Sequence, residues 1–287
     1  MLIIAIALTL GSLLALAIGT QSIYFYQWPL VYYCCAIAFF IQCVAFVPAL
    51  IFRTEKFYDL CGSFTYLTII SFLLLVLFSN TSNVLDNRDL LLCTMVAIWA
   101  ARLGYFLFTR ILQDGGDGRF DEIKKSPMKF LSVWVLQGLW VWVTTACAIA
   151  AIASQTSKSL SLIDSVGILV WCVGFAIEVI ADQQKRAFRF KYGSEQFINT
   201  GLWRYSRHPN YFGEVMLWFG VALIALPVLQ SWSYIALISP LFVYILITKI
   251  SGIPMLETKA DKRWGDNTEY QYYKASTSIF ILAPPKS

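Results

Sequence analysis

Eight long apolar runs, none alternating with polar residues at every second position, constrain this chain more than any other feature. In the hydrocarbon of a bilayer there is no water to satisfy backbone N–H and C=O groups, so only helices and closed barrels cross it. A barrel strand alternates, whereas a helix needs about 20 consecutive apolar residues. The runs cover 2–20, 30–52, 62–79, 90–110, 130–153, 162–181, 212–229 and 232–250. The last two are separated only by Gln230 and Ser231, which predicts a tight helical hairpin. Charged residues make up 14% of the chain, against about a quarter in a soluble domain. The expected fold is therefore all-α, a polytopic membrane helix bundle of about eight transmembrane helices. No repeat or linker divides it, so 1–287 reads as a single membrane domain.

Charge orients the spans. Residues 1–52 hold no Asp, Glu, Lys or Arg; without a basic n-region they read as retained membrane segments rather than a leader. With the amino terminus inside, the segments 53–61, 111–129, 182–211 and 251–287, with Arg110 and Lys249 at their borders, carry 19 of the 22 Lys and Arg residues. Only Arg88 and Lys158 fall on the other side, and Arg102 lies within a span. The positive-inside bias thus places both termini in the cytoplasm. The seven cysteines form no CxxC pair and sit mostly in apolar runs, and His208 is the single histidine. The cysteines read as small buried hydrophobes, and no metal site is expected.

Three charges stand where charge is costly: Arg102 midway along the fourth run, Glu178 in the sixth, and Glu214 at the start of the seventh. Each needs a partner, a wet cavity or a helix end. A structural ion pair and a ligand-lined cavity both remain open. If the sixth helix continues past the membrane, Glu178, Asp182 and Arg189 share roughly one face. Lys185 and Arg186 lie further round, amid Phe188, Phe190 and Tyr192. A solvated charge run explains Lys185 and Arg186 equally well.

The most specific segment is GLWRYSRHPNYFGEVMLW, residues 201–218. Pro209 biases His208 towards extended backbone before the seventh helix. Arg204, Arg207, His208, Asn210, Tyr211 and Glu214 are then gathered at one end of the bundle, and Gly213 allows close approach of a helix or ligand. Asn210 is also a plausible helix cap.

Three signatures in order, IWAARLGYFLFTRILQDGGDGRFDEI at 98–123, EVIADQQKRAF at 178–188 and GLWRYSRHPNYFGE at 201–214, resemble the uncharacterised branch of the steroid 5-alpha reductase-like membrane proteins. The resemblance covers 55 to about 283, strongest from 98. It divides the chain into amino-terminal spans at 1–97, the expected lipid-substrate side, and a family-like region at 98–283 with a cytoplasmic cofactor pocket. The characterised relatives reduce a carbon–carbon double bond conjugated to a carbonyl, using NADPH. On that resemblance Asp182, Arg189, Asn210, Glu214 and Arg102 belong to the cofactor pocket, with Tyr211 in the same segment. Arg204, Arg207, His208, Lys262, Arg263 and Tyr270 enclose the dinucleotide from the cytoplasm. Asp117 and Arg119 of the GGDGR loop lie over it.

The chain departs from the relatives on the substrate side. Their carbonyl-holding glutamate and tyrosine have no clear counterparts, and Trp99 stands at the aligned tyrosine position. Glu55, Asp59, Tyr66 and Tyr105 are available; Tyr105, one turn beyond Arg102, and Glu55 are the expected catalytic pair.

The RHPNYFGE motif also resembles membrane isoprenylcysteine and phospholipid methyltransferases that use S-adenosylmethionine, with an echo in ETKADKRWGDNTEYQYY at 257–273. The cluster of arginines suits a pyrophosphate better than a donor without phosphates. The leading expectation is an NADPH-dependent reductase of a hydrophobic enone. A methyltransferase and a non-enzymatic lipid-binding or transport protein are the alternatives. GGDGR lacks the strand context of a dinucleotide fold. The expected partners are the bilayer and a hydrophobic small molecule or lipid, with no nucleic acid. The expected location is a bacterial inner membrane, alternatively the endoplasmic reticulum.

Overall fold

Among the described residues, the eight apolar runs become eight helices long and apolar enough to cross a membrane. The structure is a computed structural model that describes residues 1–79, 85–193 and 195–286, with Asp114 described by its backbone alone. Helix α1 spans Leu2–Gly19, α2 Leu30–Phe52, α3 Tyr58–Ser79, α4 Asn87–Asp114, α5 Pro127–Ile152, α6 Leu162–Tyr192 and α7 Pro209–Ala225. Among the described residues, the strands are a two-residue pair, β1 (Tyr24–Phe25) and β2 (Trp28–Pro29), antiparallel with Tyr24 opposite Pro29.

Local chemistry sets the ends. Asp86 and Asp89 form a capping box at the start of α4, each carboxylate taking an otherwise unpaired backbone N–H. Gly115 ends the same helix at φ 80°, a left-handed conformation that a Cβ disfavours. Ser126 caps α5, with Pro127 in its first turn.

The eighth span departs from the single helix expected over 232–250. It runs as a 3₁₀ segment (Ser231–Leu237), helix α8 (Ile238–Ile245), a π turn (Leu246–Ile250) and, after Gly252, helix α9 (Ile253–Trp264). The expected turn at Gln230–Ser231 is present, with Ser231 at φ 48°. Pro240 tightens the start of α8 and Pro254 opens α9, because proline fits a first turn but cannot donate within a helix. In the π turn the Ser251 N–H reaches back five residues to the Leu246 carbonyl at 2.9 Å. Helix α10 (Thr268–Ser276) follows, its Asn267 cap accepting from Glu269 and Tyr270 N–H.

Packing divides the chain into two compact units: Met1–Ser161 with Ile224–Ser239, and Leu162–Leu223 with Pro240–Ser287. In the first, α5 is the central helix, packed by α1, α2, α3 and α4. Two polar side chains find partners inside its apolar layer: Trp142 Nε1 donates to the Gly11 carbonyl at 3.0 Å, and Gln42 Nε2 to Thr65 Oγ1 at 2.8 Å. Such bonds are needed where an unpaired group would meet hydrocarbon. Arg88 is 1% exposed and donates to the carbonyls of Ile224, Lys158 and Ser159. This arginine, which charge sorting placed at an outer border, is a buried fastener.

In the second unit α6 and α7 meet through glycines. A Cβ on Gly213 would lie 2.5 Å from the Gly174 carbonyl oxygen, and one on Gly220 would lie 2.7 Å from that of Gly167. Both pairs recur every seven residues, two helical turns, so hydrogens face each other along one seam and the backbones approach closely. Helix α6 has 31 residues, a length of about 46 Å at about 1.5 Å per residue. A bilayer core takes about 30 Å, so its carboxy-terminal turns continue beyond the membrane.

Candidate functional site

The overhang of α6 contributes Lys185, Phe188 and Arg189 to a cavity in the second unit. The segment 196–208 supplies Phe197, Trp203, Arg207 and His208, helix α9 supplies Glu257, Lys259 and Arg263, and α10 supplies Tyr270 and Tyr273. Five cationic side chains thus line the cavity against one carboxylate, Glu257. With Leu256, Ala260 and Trp264, the α9 contributors cover nearly half of the helix circumference, Glu257 and Lys259 standing at its two edges.

Hydrogen bonds hold the floor. Trp203 Nε1 donates to the Ala181 carbonyl at 3.0 Å, Tyr273 Oη to the Trp203 carbonyl at 2.6 Å, and Leu202 N–H to Gln184 Oε1 at 2.9 Å. Together they tie the 201–205 turn to α6 and α10. The Lys185 ammonium lies 4.6 Å from the centre of the Trp203 indole, a favourable cation–π contact. Phe197 stacks on Tyr273 at 5.6 Å and meets Tyr270 edge-on at 5.3 Å.

Glu257 joins two lining residues. Its carboxylate accepts from Arg207 Nη1 at 2.5 Å and contacts His208 Nε2 at 2.8 Å. The His208 ring stacks on Tyr211, with centroids 5.8 Å apart and planes at 13°. Burial lowers the basicity of His208, and Lys185 and Arg207 lower it further; Glu257 opposes but does not overcome them. The imidazole is consequently held towards its neutral form. Burial first, then nearby acidic groups, holds the phenols of Tyr270 and Tyr273 above the usual tyrosine range. Both stay protonated as donors, Tyr270 to Asp261 at 3.1 Å. Two lining side chains keep unused polar atoms: Arg207 Nε and His208 Nδ1 are buried with no hydrogen-bond partner among the described residues.

Sequence reasoning located five of the lining residues: Arg189, Arg207, His208, Arg263 and Tyr270. Outside the lining, Asn210 Nδ2 donates to Asp182 Oδ1 at 3.1 Å, joining α7 to α6. Tyr211 touches the site through His208, while Arg204 is exposed and does not line the cavity. Glu214 and Glu178 are buried. Lys262 is outside the lining as well, one position off the α9 face. Arg102 belongs to the first unit, its guanidinium 5.3 Å from the Phe106 ring centre. Glu257, Lys259, Phe197 and Trp203 were not expected. The i, i+3 and i, i+4 spacing within ETKADKRW was the signal for α9, but nothing local marked which face would be covered.

In the first unit, Tyr105 lines an apolar groove between α3 and α4 with Phe57, Leu60, Phe64, Leu67 and Gly104. Glu55 does not reach that groove. It accepts from the Asp117 N–H at 2.9 Å and from Lys124 Nζ at 2.5 Å. Burial favours its protonated form, but Lys124 and the Asp117 N–H outweigh burial and hold the carboxyl below its ordinary value. Asp117 caps the following 3₁₀ turn and pairs with Arg119. GGDGR is therefore a fastened turn, with Glu55 as its anchor.

No group of His, Cys, Asp and Glu among the described residues is arranged to hold a metal ion. Over 185 residues the chain is 23% identical to an uncharacterised protein of Schizosaccharomyces pombe, covering 54% of this chain and 54% of that one. The chain thus spans about half the length of this relative. No solved structure matches it. Residues 45–277 match the family model described as "Protein of unknown function (DUF1295)", and the chain, a multi-pass membrane helix bundle, belongs to that family.

Proposed function

We propose that this protein is a membrane oxidoreductase that binds NADPH in the α6–α9–α10 cavity and reduces a conjugated carbon–carbon double bond of a hydrophobic enone. The observation that carries the reading is the lining itself, five cations and one carboxylate interleaved with Phe188, Phe197, Trp203, Trp264, Tyr270 and Tyr273. A dinucleotide phosphate combines several anionic groups with flat rings, and arginines and aromatic faces answer both demands. S-adenosylmethionine brings a sulfonium and no phosphate, so this lining opposes it.

The residues fit the cofactor. Arg189, Arg263, Lys185 and Lys259 would hold its phosphates, and Phe197, Trp203 and the tyrosines its flat rings. Arg207 Nε offers one unused donor. When bound, NADPH supplies a hydride equivalent. The chain's own part is to bind it, to exclude water, and to keep α6 and α7 joined through Asp182 and Asn210. The apolar groove at Tyr105 suits the substrate's hydrocarbon body, with the phenol as proton donor.

Purified protein in detergent, titrated with NADPH, NADH and S-adenosylmethionine, tests the reading. NADPH should bind most tightly. Tight binding of S-adenosylmethionine with none of NADPH would replace it with methyl transfer.

A further inference from the structure

His208 is an unusual histidine for a cavity of cations. It is 5% exposed, and its ring lies flat against Tyr211. One ring nitrogen, Nε2, is committed to Glu257 at 2.8 Å; the other, Nδ1, is buried without a partner among the described residues. A neutral imidazole has one N–H and one lone pair, and which nitrogen carries the proton follows from the bond the other side makes. A carboxylate beside Nε2 demands a donor there. The proton therefore sits on Nε2 and the lone pair on Nδ1.

The groups around the ring favour this neutral tautomer. Glu257, from α9, pulls towards protonation, but its other oxygen is already taken by Arg207. Lys185 from α6 and Arg207 both oppose a second proton, and so does burial. What remains is an acceptor on a residue that lines a cavity rich in donors. Phosphate oxygens are acceptors and gain nothing from it. A hydroxyl does, and Arg207 Nε, from the adjacent residue, offers the complementary unused donor.

We propose that Nδ1 of His208 accepts a hydrogen bond from a sugar hydroxyl of the ligand, with Nε2–H fixed on Glu257. His208 is then the residue that distinguishes a nucleotide from a bare polyphosphate. This inference rests on the dinucleotide reading of the cavity and adds to it the recognition of the ribose. Glu257 acts through the histidine, as a positioning residue.

Because the chain has one histidine, a single ¹⁵N-histidine label reports on this ring alone, provided that the affinity tag contains none. The protein, reconstituted in lipid, is measured by solid-state NMR alone, with NADPH and with pyrophosphate. A separate fluorescence titration records binding. The expected spectrum without ligand is one protonated nitrogen, Nε2, and one unprotonated, Nδ1. NADPH should move the unprotonated resonance; pyrophosphate should bind and leave it in place.

An Nδ1-protonated ring, an imidazolium at neutral pH, or NADPH binding with an unmoved Nδ1 each overturn the inference and spare the dinucleotide reading. An equal shift with pyrophosphate also overturns it. Absence of NADPH binding overturns both. In support, His208→Phe should weaken NADPH about tenfold and pyrophosphate hardly at all. Glu257→Gln, which still accepts from Nε2–H, should retain the tautomer, whereas Glu257→Leu should lose it.

Discussion

Asn210 Nδ2 donates a 3.1 Å hydrogen bond to Asp182 Oδ1, so the second residue of α7 is fastened to the stretch of α6 that leads into the cavity. The bond lies one turn from the Gly174–Gly213 contact along α7 and about two turns from it along α6. Polar and steric complementarity thus fix the same helix pair at neighbouring levels. Replacing Asn210 by Leu removes the donor from a buried carboxylate, at a cost of about 1–3 kcal/mol. Asn210→Asp, which sets two acidic groups against each other, should lower the melting temperature further than Asn210→Leu. Both should insert normally and bind NADPH more weakly. Unchanged melting and binding in both would remove this pair from the site.

The glycine seam should be intolerant of a single methyl group. In Gly213→Ala the new Cβ meets the Gly174 carbonyl oxygen and the Glu178 nitrogen at 2.5 and 2.7 Å, so backbone must move. Overpacking of this kind costs about 1–3 kcal/mol. The variant should melt at a lower temperature in detergent, and Gly220→Ala should behave alike.

Arg263 separates binding from stability. Its ion pair with Glu195 joins partners whose side chains are 36% and 84% exposed, and such surface pairs contribute about 0–1 kcal/mol. Arg263→Ala should therefore melt close to the wild type. If Arg263 holds a phosphate, NADPH affinity falls about tenfold, and its dependence on ionic strength becomes shallower. A titration at two salt concentrations reads both effects.

The Glu55 anchor should show in the pH dependence of stability. Its folded carboxyl titrates below its unfolded value, so the stabilisation is complete above the unfolded value and is lost as pH falls through the folded one. Lys124 is shifted upward, chiefly by Glu55 against the opposing effect of burial, so its share is lost only as pH rises through the folded ammonium range. Glu55→Gln should remove about 1–3 kcal/mol at neutral pH and flatten the acid limb of a melting-temperature profile. A parallel acid limb in the variant would contradict the anchor.

Tyr105→Phe addresses the substrate side of the proposal. The ring is 70% exposed, so stability should hold within about 0.5 kcal/mol. NADPH affinity should also hold, while turnover of a hydrophobic enone falls. Equal turnover would dismiss the phenol as proton donor.

Apolar length and charge placement were local properties, and they determined the membrane class, the number of crossings and the turn at Gln230–Ser231. The same was true of the cation-rich segments: Arg189, Arg207 and His208 lie near span ends because charge avoids hydrocarbon. Partnerships were not legible. The contacts of Glu55 are one case, because Asp117 and Lys124 lie more than sixty residues away along the chain. Glu257 went unnoticed because its importance comes only from meeting Arg207 and His208. Gly213 allowed either a helix or a ligand, and the opposing Gly174 decided for a helix. A transfer energy belongs to one residue and can be read from it. A hydrogen bond or a close helix contact belongs to two, and only the tertiary structure brings the second within reach.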